Sequence, residues 1–436
     1  MEKTFSRDRL IIFGRYPIPG NTKTRLIPVL GPVGAANLQR HLTEKTLDIA
    51  TSFAAENNVT IECCFEGGSF QKIYRWLGPL PVLTFQRGGD LGRRMRDALF
   101  DALNGGRKRS VLLGTDIPGL TVEILKNAFD ALLENDVVLG PSTDGGYWLI
   151  GMKRPIDLFQ KIEWGSSRVL EQTLTQAKRL GLSCAVLKSL SDVDTPEDLI
   201  KWRPQKKSPE AFLTVVIPAL NEEKYIGQAV SSAIAPDVEV IVADGGSKDR
   251  TFHRAKSLGA SVIRTPPGRA RQQNLGAAAA TGENLLFLHA DTLLPEGFAI
   301  QVFEILMSQM TVLGAFRFKT DFSHPLMHLV EWMTRLRSEC LRLPYGDQAL
   351  FMTKATFERI GGFPEVPIGE DLLLVRLLTT REKAQVVISG NAAITSGRRW
   401  ERMGPFRTTW INQLILSGMA LGINLKTLSR LYRKAF

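Results

Sequence analysis

Cysteine is scarce in this 436-residue chain. The four that occur, Cys63, Cys64, Cys184 and Cys340, have spacings that suit neither a zinc site nor a disulfide framework, and a reducing compartment is expected. No run of about 18 uninterrupted apolar residues is present, so no membrane-spanning helix is expected. The opening Met1-Glu-Lys-Thr-Phe-Ser-Arg-Asp leads into only a short apolar run and does not read as a signal peptide. The cytoplasm is the expected location, with a peripheral place at the inner membrane face left open. No short repeat is visible, which excludes a solenoid, and the Walker Gly-Lys-[Ser/Thr] is missing. What remains is a globular composition, 44% apolar and 23% charged, in a chain long enough for two domains. The net charge of +11 is spread over both halves. It suits anionic ligands such as nucleotides, or a merely basic surface; no nucleic-acid partner is expected.

The most informative stretch lies in the second half. Residues 213–217 form a β-branched apolar run that stops at Pro218, and 238–243 repeat it and end at Asp244-Gly-Gly-Ser. Residues 225–234 between them have helical spacing. Strand, helix, strand, with polar residues at both strand ends, is a βαβ unit, and ligands of open α/β sheets sit at those ends. Asn221 and Glu222 follow the first strand and Asp244 the second, where a carboxylate accepts hydrogen bonds from a ribose or a base. Gly245 and Gly246 let backbone approach a ligand closely. Pro218-Ala-Leu-Asn-Glu, followed by Asp244-Gly-Gly-Ser247-Lys-Asp, resembles the donor-nucleotide signature of the inverting family 2 glycosyltransferases.

The resemblance continues downstream. Arg269 and Arg271, with Gln273 and Asn274 behind them, stand at a loop-to-helix junction suited to a diphosphate. Residues 285–288 read as a strand ending in His289-Ala-Asp291-Thr, where the family usually carries Asp-x-Asp. His289 takes the first place, as a ligand, a phosphate donor or a packed ring. Asp291 remains as the carboxylate for Mg²⁺ or Mn²⁺ on the donor diphosphate. Glu370-Asp371 opens an apolar helix and matches the family's base motif. Inversion needs a carboxylate on the acceptor side to take the hydroxyl proton, and Asp371 is the candidate, with Glu370 orienting it. Two acids favourably placed at a helix start is the competing reading. Ser396-Gly-Arg398-Arg399-Trp400 resembles the late Arg-Trp motif without its upstream Gln. It implies that Arg398 or Arg399 neutralises the leaving diphosphate and that Trp400 stacks on a sugar. From Ser396 onward there are eight basic residues and one acid. That mostly apolar, then basic, segment is either a helix docked on its own domain or a membrane-surface contact. This half most resembles the family 2 glycosyltransferases of the arsenosugar-biosynthesis type, whose relatives include carotenoid-acid glycosyltransferases.

The first half opens with a strand at 10–13 and the loop Gly14-Arg-Tyr-Pro-Ile-Pro-Gly20-Asn-Thr-Lys23-Thr-Arg25, whose prolines and glycines forbid an immediate helix. Lys23 and Arg25 arrive beside amides suited to phosphates. Gln86-Arg-Gly-Gly is a glycine loop feeding a helix, which suits an anion. A buried strand at 111–114 leads to Asp116, the expected place for a metal carboxylate. Asp144-Gly145-Gly-Tyr147 is a turn with an acid and an aromatic that frame a base or a sugar. Asp194, beyond the last strand, is either a second metal ligand or part of a helix start, with Asp or Thr as cap and Pro at the first turn. Across residues 10–200 the set is similar to the nucleotidyltransferase-like domain of arsenosugar-type proteins. The similarity implies a nucleotide site at Gly20, Lys23, Arg25, Gln86, Asp144, Gly145 and Tyr147, with metal on Asp116 and Asp194.

The expected architecture is therefore α/β: two tandem nucleotide-diphospho-sugar transferase domains of glycosyltransferase-A, Rossmann-like type. They cover 1–203 and 212–436, joined by a polar, proline-bracketed linker at 204–211. The expected activity is sugar transfer from a nucleoside-diphosphate donor to a small-molecule or lipid acceptor, with an N-terminal domain that makes or processes the donor. The alternative is a membrane-surface lipid or carotenoid glycosyltransferase with a non-catalytic N-terminal module.

Overall fold

A computed structural model describes residues 7–202, 211–308, 311–381 and 385–435. The expected linker lies outside the described residues except for Ala211. The chain divides into two compact units, Met1–Lys207 and Ser208–Phe436.

In the first unit β1 (Asp8–Arg15) carries Leu10, Ile11 and Ile12 with no exposure. A continuous apolar strand of this kind belongs in the middle of a sheet covered on both faces. After α1 (Ile27–Asn57) come β2 (Val59–Glu66), β3 (Leu83–Phe85), α2 (Leu91–Asn104), β4 (Arg109–Gly114), β5 (Val137–Pro141), β6 (Tyr147–Met152) and β7 (Cys184–Val186). The sheet order is β3-β2-β1-β4-β6-β5-β7. Strands β1, β2, β3 and β4 are parallel, and β6 runs against β4 and β5. Parallel strands place the ends of β1 and β4 on one edge, so Lys23 and Asp116 emerge together.

The second unit repeats the plan. It runs β8 (Leu213–Ala219), α3 (Ile226–Ala233), β9 (Val238–Asp244), β10 (Ser261–Arg264), α4 (Arg269–Ala279), β11 (Asn284–Phe287) and β12 (Thr292–Leu293). Then follow β13 (Thr311–Thr320), α5 (Pro325–Cys340), β14 (Leu350–Thr353), α6 (Glu370–Arg381) and β15 (Gln385–Thr395). The chain ends in α7 (Arg398–Met403), α8 (Pro405–Ala420) and α9 (Leu425–Ala435). The order is β10-β9-β8-β11-β14-β13-β15-β12, with β14 antiparallel to β11. The core gathers Val216, Phe287, Leu350 and Leu374, and Phe363 meets Phe287 edge-on at 4.8 Å. The α/β expectation holds in both units.

Candidate functional site

A cleft of about 940 Å³ opens at the carboxyl ends of β8 and β11 in the second unit. Pro218 and Glu222 line it from the first strand end, and His289 and Asp291 from the second. The start of α6 contributes Glu370 and Asp371, and the turn at 345–348 contributes Tyr345 and Asp347. Helices α5, α7, α8 and α9 close the remaining sides.

Arg398, at the start of α7, grips the two strand ends together. It donates to both Glu222 carboxylate oxygens at 2.8 Å and pairs with Asp291 Oδ2 at 2.9 Å. Hydrogen bonding to Glu222, with the Asp291 charge added, raises the Arg398 pKa against its partial burial. Arg398 also lies over the Tyr225 ring, 4.8 Å from its centre. Arg269 at the start of α4 reaches Glu370 at 3.3 Å. Burial raises the Glu370 carboxyl, and the Arg269 charge opposes it.

Asp371 is held differently from the sequence expectation. Glu370 is drawn to Arg269, while Asp371 Oδ2 accepts from the Gly346 N–H and Oδ1 from the Leu372 N–H, both at 2.8 Å. A Cβ at Gly346 would lie 2.8 Å from His289 Nε2 and 3.2 Å from Asp371 Oδ2, so glycine is what lets the turn seat both side chains. Burial, reinforced by the Arg269, Arg399 and Arg398 charges, holds His289 well below the usual imidazole range. His289 is thus a neutral ring among cations.

Trp400 is 9% exposed and packs against Phe318 at 5.8 Å while still lining the cleft. Arg399 donates to the Tyr432 hydroxyl of α9 at 2.7 Å.

Other expected donor contacts serve the loops. Asp244 is 2% exposed, and both its oxygens accept from Ser247 N at 3.2 Å. Ser247 Oγ accepts from the Asn221 N–H, and Asn221 Oδ1 accepts from the Lys248 N–H. Asn221 sits at φ +56°, a strained value for a side-chain-bearing residue. The two strand-end loops are tied to each other by these bonds. A Cβ at Gly245 would come 3.0 Å from Gln272, which donates to Ala219 O and Ala243 O. Asn274 exchanges hydrogen bonds with the Phe363 backbone, and Gln273 is buried. None of Asn221, Asp244, Gly245, Ser247, Gln273 and Asn274 is among the residues lining the cleft.

Asp347, in the turn before β14, is not among the residues that the sequence singles out, yet it lines the cleft. Its Oδ1 is buried with no hydrogen-bond partner among the described residues. Burial pushes its pKa up to about 6, with Arg337 opposing and the Asp371 and Asp291 charges adding. The turn that presents it is locked by Gln348. That side chain accepts from Ser338, Arg337 and Tyr345 N and donates to Phe316 O. A polar group left unpaired in such a rigid setting calls for a partner that the chain itself does not supply. The Tyr-Gly-Asp-Gln spelling carried no helical or strand period to signal it.

In the first unit Lys23, at φ +46°, is 3% exposed in its side chain. Its ammonium contacts Asp116 Oδ1 at 3.0 Å, Asp194 Oδ1 at 2.9 Å and Val193 O at 2.7 Å. Burial disfavours its charge, but the two carboxylates outweigh burial and raise the pKa. The two carboxylates that the similarity assigns to a metal thus hold the Lys23 ammonium between them. Gly20 has φ +85° and Arg25 is exposed nearby.

The remaining first-unit candidates serve other contacts. Asp144 Oδ1 accepts from Gly146 N, and a Cβ at Gly145 would collide with Ser167 O at 2.1 Å. Gln86 donates to Gly14 O and accepts from Arg94, in a separate cavity of about 270 Å³. The Tyr147 hydroxyl is buried, its ring against Trp164. Among the described residues no group of three His, Cys, Asp or Glu side chains is assembled for a metal in either unit.

Two family models match this chain, one within each unit. Residues 47–166 match the family described as "Uncharacterized protein conserved in bacteria (DUF2064)", and residues 214–356 match "Glycosyl transferase family 2". A glucosyl-3-phosphoglycerate synthase of Mycolicibacterium smegmatis is 32% identical over 26% of this chain and 41% of its own length. A 4,4'-diaponeurosporenoate glycosyltransferase of Staphylococcus aureus is 49% identical over 12% of this chain and 14% of its own. The chain thus spans less than half the length of these curated relatives. A crystal structure from Desulfovibrio desulfuricans G20, provisionally named a nucleotide-diphospho-sugar transferase, is 36% identical. It covers 47% of this chain and 89% of its own, with a TM-score of 0.42.

Proposed function

We propose that the second unit is an inverting glycosyltransferase that uses a nucleoside-diphosphate sugar with Mg²⁺ or Mn²⁺. The observation that carries this reading is one cleft lined by the strand-end Asp291, the helix-start Asp371 and the arginines Arg269, Arg398 and Arg399. Asp371, aimed by the Gly346 and Leu372 amides, takes the proton from the acceptor hydroxyl. The acceptor oxygen bonds to the anomeric carbon as that carbon's bond to the diphosphate breaks. Arg269, Arg398 and Arg399 receive the charge that develops on the diphosphate. Asp291 suits a divalent ion: it is a mostly buried oxygen donor at a strand end, beside the neutral His289. When bound, the ion would supply charge neutralisation at the diphosphate. Asp347, which lines the same cleft as Asp291 and Asp371, would accept a hydrogen bond from a hydroxyl of the transferred sugar.

The first unit is read as a nucleotide-binding domain because Lys23, Asp116 and Asp194 converge. A nucleotide would draw the ammonium toward its phosphates and release the carboxylates. The titration that tests both readings uses the full chain with the common nucleoside di- and triphosphates and diphosphate sugars, with and without Mn²⁺. Binding of one diphosphate family, enhanced by metal and losing that enhancement in Asp291→Ala, is expected. Equal enhancement in the variant, or no detectable heat, rejects the assignment in the second unit. Triphosphate binding that survives Lys23→Met rejects the one in the first.

A further inference from the structure

Amphipathic helices normally turn their apolar face inward. Helix α5 does not. Leu326, Leu329, Met333 and Leu336 recur along it at three- and four-residue spacing, and all are exposed. Trp332 beside them is 58% exposed. Helix α8, which packs against α5, repeats the anomaly, with Phe406, Trp410 and Leu414 at every fourth position and Trp410 59% exposed. Phe406 and Trp410 stack on one another at 6.4 Å in the open. Two adjacent helices showing apolar stripes form a patch that solvent alone does not explain.

The charges around the patch say what covers it. Residues 405–436 hold five basic residues and no Asp or Glu. Arg407, Lys426, Arg430 and Lys434 are exposed on α8 and α9. The two carboxylates of α5 are engaged locally, Glu331 by the Thr320 N–H and Glu339 by Arg317 and Arg335. An apolar face with tryptophans and a one-signed basic flank fits the interface of an anionic bilayer. Among the described residues no helix is long and apolar enough to cross a membrane, so the contact is a surface one. The same two helices wall the cleft from their other faces, through Val330 and Thr334 of α5 and Asn412, Leu416 and Met419 of α8.

We propose that α5, α8 and α9 dock this unit on an anionic lipid surface, from which an amphiphilic acceptor presents its hydroxyl to the cleft. The acceptor half of this statement rests on the reading of the cleft as a sugar-transfer site; the docking half does not.

The test is flotation of the full chain with vesicles of phosphatidylcholine, with and without phosphatidylglycerol, and no nucleotide present. The full chain is expected to float with the anionic vesicles and to be released by salt, since surface charge attraction decays within roughly 8–10 Å at such ionic strengths. The double variant Trp332→Ser/Trp410→Ser is expected to bind at least about tenfold more weakly, its two interfacial anchors being gone. Lys426→Glu/Arg430→Glu should lose the preference for the anionic lipid. Unchanged calorimetric transitions and nucleotide titration in these variants show that they are folded. Failure of the full chain to float, or flotation of the tryptophan variant equal to wild type, overturns the proposal. So does a dimer in sedimentation that the same substitutions split, because the patch then belongs to a second copy. Nucleotide binding is read separately, so loss of docking leaves the cleft assignment standing and the reverse holds too.

Discussion

The two units share a sheet plan and differ in how they hold the acids at its edge. In each, a central parallel strand is flanked on one side by two more and on the other by a fourth, beyond which the direction reverses. In each, a chain cation bridges two carboxylates at that edge. In the first unit the cation is Lys23, ten residues or fewer past β1, 3% exposed and bound by three oxygens. In the second it is Arg398, from far down the chain, 33% exposed and shared between Glu222 and Asp291. A short lysine on the adjacent loop makes a closed, buried contact. A long guanidinium brought in by α7 makes a contact that opens into a large cleft. In the second unit the start of α6 brings a further carboxylate, Asp371, into the same cleft. This contrast is the ground on which sugar transfer is proposed for the second unit and nucleotide recognition for the first.

Asp371→Asn is the sharpest way to break that assignment. A positioned general base is worth roughly 10²–10⁴ in rate, so turnover with any acceptor that wild type uses should fall by about that factor. Donor binding measured by calorimetry should barely change. Retention of more than about a tenth of wild-type turnover would remove Asp371 from the base role.

Next in size is the contrast between the two bridging cations. Lys23→Met leaves Asp116 and Asp194 facing each other, and removing one partner of a buried ion pair costs about 3–5 kcal/mol where both charges are sealed off. These carboxylates are 39% and 44% exposed, so about 2 kcal/mol is the expected loss. Arg398→Met should cost the second unit less, about 1 kcal/mol, because the cleft admits water. Separate calorimetric transitions of the two units would read this; a larger loss from Arg398→Met reverses the ranking.

The last effect concerns Asp347 and is read through pH. Its carboxyl lies at about 6 in the fold against an ordinary 3.8. Between these values the folded state holds a proton that the unfolded state has lost, so stability falls as pH rises through that window. Asp347→Asn keeps the shape without the ionisation. The variant should be more stable than wild type at neutral pH, and the gain should fade toward pH about 4. A constant difference across the range would mean that Asp347 ionises freely in the fold.

Much of the C-terminal site was legible because its residues sit at the ends of apolar runs. Glu222, Asp291 and Asp371 are read from strand-end or helix-start position, and all three reach the cleft. Asn221, Asp244 and Asn274 looked alike in spelling, yet they tie loops. Short polar side chains cap turns and bind ligands with the same groups, and only the neighbours' positions tell which. Glu370 was read as orienting Asp371, but a nearby Arg269 from a hundred residues earlier takes it instead. The parallel pairing of β1 with β4 brings Lys23 and Asp116 to one edge, and the Val193 N–H bond to Asp116 O brings Asp194 beside them.

The sequence by itself determined the α/β class, the βαβ start of the second unit and the identity of the acids at the strand ends. Alternating apolar runs and turn residues are local properties, and parallel sheets place strand-end residues on one edge whatever the details. Tertiary structure alone decided which cation each acid meets, that Asp347 is left unpaired, and that α5 and α8 turn their apolar stripes outward. Those are relations between segments some 25 to 175 residues apart, set by packing and desolvation of side chains, and no local period encodes them.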